Sequence, residues 1–205
     1  GNSVRNAWRS LDGKLKDGST FYLLPDSRQS ALTLKNLKNV TIRGRGPFPV
    51  KITGGVHIEN CENIILERLE IDSLEASASR NITVNQCAVS GPSTLRGTAD
   101  CRITHNTLNE IQLADSPGSF IAGNIFASGG IAGNSSPLWS GYNSYAGKVP
   151  AGEPTSFTAI PEFGDRMTLK NAALFNARNI DAMPVGPYRR QPVGVPLELD
   201  GPRLL

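Results

Sequence analysis

Hydrophobic residues along this chain come in short alternating triplets. Val56-His57-Ile58, Ile64-Ile65-Leu66, Leu69-Glu70-Ile71 and Ile82-Thr83-Val84 each place two apolar side chains on one side of an extended segment. Asn, Gly, Ser and Asp separate the triplets, so each reads as a short strand ending in a turn. The triplets also repeat. Ile71, Val89, Leu108, Phe126 and Tyr145 are separated by 18, 19, 18 and 19 residues. The same steps relate Leu66, Val84, Ile103, Ile121 and Ser140. They relate Ile58, Ala76, Leu95, Leu113 and Ala132, and again Ile64, Ile82, Cys101, Ser119 and Leu138. Three short strands per period make one coil of a β-solenoid. Such a coil cannot bury its apolar side alone, but coils stacked about 4.8 Å apart form a continuous narrow core.

A fifth column is polar: Leu69, Cys87, Asn106, Asn124 and Asn143. Three asparagines at equal spacing predict an inward ladder at a corner of the coil. Each amide there bonds the backbone of its turn and the amide above or below.

The segments Ile121-Ala-Gly-Asn-Ile-Phe126 and Ile103-Thr-His-Asn-Thr-Leu108 resemble coils of the right-handed parallel β-helices of the pectate-lyase-like superfamily. The opening, Asp17-Gly-Ser-Thr-Phe-Tyr-Leu-Leu-Pro25 followed by Asn39-Val-Thr-Ile-Arg-Gly44, resembles that family's first coils. The resemblance covers roughly residues 17–145 and implies a fold, not an activity. An 18-residue coil also suits left-handed hexapeptide helices. Here the apolar steps run 58, 64, 71, 76, 82, 89, so the hexad slips and the right-handed form is favoured. The expected architecture is therefore all-β: a single-stranded right-handed parallel β-helix of about six short coils over residues 17–163. An N-terminal capping helix (1–16) and a C-terminal cap and Pro/Gly-rich tail (164–205) flank it. Val4, Trp8, Leu11 and Leu15 share one helical stripe, with Ser3 as N-cap. One looser coil is expected over about 146–163, with Phe157 above Leu138 and Phe163 above Tyr145. Met167–Phe175 reads as a short helix or strand.

Charge narrows the function. There are 21 basic and 18 acidic residues, a net charge of +3, too balanced for a nucleic-acid footprint. No apolar run approaches the roughly 20 residues of a membrane span. Cys61, Cys87 and Cys101 are odd in number and read as buried thiols rather than a disulfide framework. No Cys/His spacing suits a metal, and no nucleotide loop or nucleophile elbow is present, so no cofactor is expected.

Two outward groups are candidates for chemistry. Arg102, Phe120 and Trp139 follow one another in an outward column, and aromatic faces beside an Arg suit a sugar ring. The alternative is a C-terminal tail covering them through Phe163 or Phe175. The second group is Arg68, Glu70, Asp72, Gln86 and His105. Glu70 and Asp72 sit two apart on one strand, about 6.6–7 Å between side-chain origins, near the separation of inverting glycosidase carboxylates. Arg68 or His105 would be the base of a lyase. Outward carboxylates are also ordinary strand decoration. Glu62, Arg80 and Asp100 predict an ion ladder of little energetic weight. His57 and His105, unclustered, read as surface residues.

The favoured expectation is a non-catalytic β-helix module of a larger extracytoplasmic or surface protein, flanked by other domains, which binds a polysaccharide or acts as a rigid spacer. The alternative, implied by the resemblance, is a polysaccharide lyase or glycoside hydrolase. Against it, the family's cation-binding Asp cluster and lyase Arg motif have no clear match here.

Overall fold

The computed structural model describes residues 7, 8, 11, 13–46, 49–164 and 169–171. Among them the regular elements are all strands, wound as a parallel β-solenoid of about seven turns with three faces. The first face stacks Ala7–Trp8, Thr20–Leu23, Lys38–Gly44, Glu62–Glu67, Arg80–Asn85, Arg102–Thr104, Ser119–Ala122 and Leu138–Gly141 in parallel. The strands Val50–Glu59 and Leu69–Ser77 each serve both other faces. The second face continues from their first halves through Ala88–Val89, Thr107–Leu108, Ile125–Phe126 and Ser144–Tyr145 to Phe157–Thr158. The third runs from Leu32–Lys35 through their second halves to Ser93–Arg96, Ile111–Ala114 and Ile131–Asn134.

The core lies along the axis. Ile71, Val89, Leu108, Phe126 and Tyr145 stand in direct register, each at most 1% exposed. The last two stack their rings, centroids 4.9 Å apart and 8° from parallel. Leu66, Val84, Ile103, Ile121 and Ser140 are likewise in register. Burying one such aliphatic side chain contributes about 1.5–3 kcal/mol.

Four expectations are corrected. The turns number about seven rather than six. The N-terminal helix is absent where the chain is described: Ala7–Trp8 is a strand that extends the first face, paired with Tyr22 and Leu23. A sheet edge presents unpaired N–H and C=O groups, and a strand satisfies them where a helix does not. The column below Leu113 passes to Gly133, not Ala132. The corner from Phe126 to Ile131 holds two more residues than the corner from Leu108 to Ile111 beneath it. Gly133 has φ 92° there, and a Cβ on it would lie 1.9 Å from the Leu113 carbonyl oxygen. Finally, Phe157 pairs with Ser144 and Thr158 with Tyr145, so the last coil is short and Phe163 instead bridges antiparallel to Leu169. The rest of Met167–Phe175 and the Pro-rich tail fall outside the described residues, apart from Lys170 and Asn171.

The early coils are longer than the later ones. Lys38 pairs with Glu62, 24 residues on, and Glu62 with Arg80, 18 on. The extra residues are five between Gly44 and Val50, where the chain passes from the first face to the second, and one at a bulge between Ile52 and Gly55.

Candidate functional site

Each ladder position follows a residue in the left-handed region: Arg68 (φ 58°), Gln86 (53°), His105 (56°), Gly123 (65°) and Tyr142 (53°). That conformation turns the chain sharply from the first face to the second and aims the next side chain inward. L-residues other than Asn and Asp adopt it at a cost, so the stacked coils must hold them there. Asn106 and Asn124 are fully buried, and their Nδ2 groups donate to the carbonyls of Val84 and Ile103 at 2.9 and 2.8 Å. The Cys87 N–H donates to Asn106 Oδ1, Asn106 N–H to Asn124 Oδ1, and Asn124 N–H to Asn143 Oδ1.

The same corners carry the first acid–base candidates. Arg68, Gln86 and His105 do share a column, as their left-handed corner positions require. Arg68 Nη2 donates to the carbonyl of Gly46, just past the end of a first-face strand, and burial holds its guanidinium below the usual Arg range. His105 is buried at 8% exposure, a correction to its surface assignment, and burial lowers its imidazole from 6.5. Glu70 pairs with Lys51 at 3.3 Å. Asp72 Oδ2 accepts the Gly54 N–H at 2.8 Å, closing the bulge beside it. Arg68, Glu70 and Asp72 thus each hold neighbouring backbone or a neighbouring rung, while Gln86 and His105 are packed away from water. His57 is partly exposed, 3.2 Å from Glu75.

The aromatic row is assembled as the spacing predicted. Arg102 registers with Phe120, and Phe120 with Trp139, all outward on the first face. The Phe120 and Trp139 rings stack with centroids 4.5 Å apart and 7° between planes. Arg102 Cζ lies 5.6 Å from the Phe120 centroid. Tyr142 leans against Trp139 at 6.2 Å and 34°. The rung spacing of a parallel sheet is close to an aromatic stacking distance, so adjacent rungs suffice to align the rings. Trp139 is 46% exposed. Phe163, expected to cover the row, packs instead with Ile125, Ala159, Leu169 and Phe157 against the outside of the second face.

Three features escaped the sequence. A second inward ladder of hydroxyls and a thiol lines the corner between the third and first faces. Leu37 N–H reaches Cys61 Sγ, Cys61 N–H reaches Ser79 Oγ, Thr98 N–H reaches Ser116 Oγ, and Ser116 N–H reaches Ser135 Oγ. Mixed residue types hid it. The second is an outer chain of amides at that corner, from Asn81 to Asn63 to Asn39, beside the expected Glu62–Arg80–Asp100 ion ladder, which Lys38 extends by one rung. The third is Glu153, buried at 6% exposure. It accepts from Tyr145 Oη, Ser156 Oγ and Asn143 Nδ2, while Ser156 Oγ accepts the Asn143 N–H. This hub ends the asparagine ladder in place of another rung. Nothing in the local sequence marks Glu153, because Tyr145 and Asn143, two of its three partners, come from the coil before it.

Among the described residues no group of three or more His, Cys, Asp or Glu could hold a metal ion, and no helix is long and apolar enough to cross a membrane. Comparisons with protein families, with curated proteins and with solved structures found no match.

Proposed function

We propose that this chain is a non-catalytic parallel β-helix module that binds a polysaccharide, as one part of a larger extracytoplasmic or surface protein of the pectate-lyase-like superfamily. The observation carrying this reading is the Arg102–Phe120–Trp139 row. It offers exposed aromatic surface on a flat sheet, with a guanidinium at one end and the Tyr142 ring at the other. Pyranose rings present C–H faces to aromatic rings and hydroxyls to flanking polar groups, and this row supplies both. Support for the superfamily is the stacked-coil architecture and its asparagine ladder. The acid–base candidates weigh the other way from catalysis, since Arg68, Glu70 and Asp72 have structural partners and His105 is buried.

The test is a glycan array with neutral and acidic polysaccharides, followed by calorimetry on any ligand found. Trp139→Ala should weaken binding at least about tenfold, the equivalent of about 1.4 kcal/mol. No binding by the native protein, or binding unchanged in Trp139→Ala, overturns the proposal. Cleavage of any polymer in the same panel, abolished by Glu70→Gln or His105→Ala without loss of folding, would establish the lyase or hydrolase reading instead.

A further inference from the structure

Charges on the early coils are matched rung by rung. Lys35, Lys38, Arg43 and Lys51 stand in register with Glu59, Glu62, Glu67 and Glu70 of the next coil. Each pair closes to within 3.3 Å. The matching fails at one place. Among the described residues from 32 to 75, Arg45 and Arg68 are the Lys or Arg side chains that make no ion pair. Both lie where the chain leaves the first face. Arg45 follows the strand Lys38–Gly44, and its N–H donates to the Leu23 carbonyl at 2.8 Å. Its guanidinium carbon lies 5.1 Å from the Tyr22 ring centroid. Arg68 follows Glu62–Glu67 on the next rung, and its Nη2 donates back to the carbonyl of Gly46, the residue after Arg45. Arg43 completes the group. It registers with Tyr22 on one side and Glu67 on the other, and its Nε and Nη2 reach Glu67 Oε2 at 2.7 and 2.6 Å.

Three guanidinium groups therefore meet one carboxylate, and two positive charges are left over. Burial lowers Arg68 below the usual Arg range, and the charges of Arg43 and Arg45 add to this against the opposing pull of Glu67. A charge partly withdrawn from water is costly until a counter-charge arrives. Asp26, which follows the Pro25 packed against Gly46, already has a partner of its own. The residues outside the description bring no surplus of acid, since they hold seven arginines and five side-chain carboxylates. That leaves the counter-charge to a ligand. A guanidinium is a planar fork of N–H donors that fits the oxygens of phosphate or sulfate. Among the described residues the Arg45 fork engages only the Tyr22 ring, and Arg68 uses one of its five donors. We infer that Arg45 and Arg68, beside Arg43 and Tyr22, form a binding site for a tetrahedral dianion, a phosphate or sulfate group. Two charges on such a group match the two left over on the protein, whereas a monocarboxylate matches one. The Tyr22 ring holds the Arg45 plane, and the Gly46 carbonyl holds that of Arg68. Tyr22 lies five rungs from Phe120 along the first face, so the inference does not rest on glycan binding at the aromatic row.

Equilibrium dialysis of the full chain against labelled inorganic phosphate, at pH 8 and fixed ionic strength, tests this. The native protein should take up one phosphate per chain, with a millimolar or tighter dissociation constant. Arg45→Gln and, separately, Arg68→Gln should each weaken uptake at least about tenfold, as the loss of hydrogen bonds to a charged group implies. Lys148→Gln, which removes an exposed cation at the other end of the solenoid, should leave uptake unchanged. Circular dichroism checks the fold of each variant, and the exposed Arg45 decides the matter if Arg68→Gln does not fold. Competition identifies the source of the group. Glucose 6-phosphate or glucose 6-sulfate displacing the label as readily as the inorganic anions shows that the group is accepted on a sugar; displacement by inorganic phosphate and sulfate alone shows that it is taken free. No saturable uptake by the native chain overturns the inference. Uptake indifferent to both arginine variants, or acetate displacing the label as well as sulfate does, overturns it too.

Discussion

The Asn106 peptide N–H and its side-chain amide both donate to one atom, Asn124 Oδ1, at 2.9 and 3.1 Å. Asn124 repeats the arrangement on Asn143 Oδ1, at 2.9 and 3.1 Å. Each amide therefore satisfies a buried peptide group of the coil before it while its own nitrogen bonds a carbonyl. Asn124→Leu removes the acceptor for Asn106 and the donor to Ile103, and should cost about 1–3 kcal/mol in chemical denaturation. Asn124→Asp should cost more, because it buries a carboxylate with one oxygen set against the Asn143 Oδ1 and Ile103 carbonyl oxygens and no donor between them. A neutral effect of both substitutions would show that the ladder is not stabilising.

The hub at the other end of that ladder behaves as a unit. Glu153→Ala leaves the buried Tyr145 hydroxyl and Ser156 without their acceptor, and should cost about 1.5–3 kcal/mol, the range for hydrogen bonds to a charged group. Added to Tyr145→Phe, it should cost less than the sum of the two single changes, since both remove the same contact. Strict additivity in thermal or urea unfolding would contradict the geometry.

The thiols are chemically quiet. Burial pushes Cys87 and Cys101 up to about 12 and raises Cys61 as well. Thiolate is the reactive form. At pH 8 the folded protein should react slowly with a thiol reagent, and all three cysteines should react once it is unfolded. A fast native phase would place at least one of them outside the core.

His105 gives the fold a pH signature. Burial lowers its folded-state value below 6.5, so as pH falls through about 6.5 the unfolded chain takes up a proton that the folded chain refuses. Its contribution to stability is therefore intact above that range and declines below it. His105→Gln should flatten the change in unfolding free energy between about pH 7.5 and 5 relative to the native chain. Identical pH profiles for the two proteins would exclude this role.

The periodic part of the chain disclosed the fold because a solenoid is nearly one-dimensional. Each residue's environment is set by its phase within the coil and by the residues one coil before and after. The steps linking Ile71 to Tyr145, the inward asparagines, and the order Arg102, Phe120, Trp139 were all legible for that reason. Where a coil gains or loses residues, phase alone fails. The Phe126–Ile131 corner moved Gly133 next to Leu113, the short last coil moved Phe157 to the second face, and five more residues between Gly44 and Val50 lengthened an early coil.

By itself, then, the order of residues determined the stacked coils, the inside and outside of most strands, and the rung neighbours in the Arg102–Phe120–Trp139 row. The tertiary structure alone decided which outward groups meet water. His105 is buried while Trp139 is 46% exposed, because exposure depends on which side chains pack around a position and not on its phase within the coil. It alone also brought Glu153 beneath Tyr145, since a cap is defined by the coil it closes and not by a period of its own.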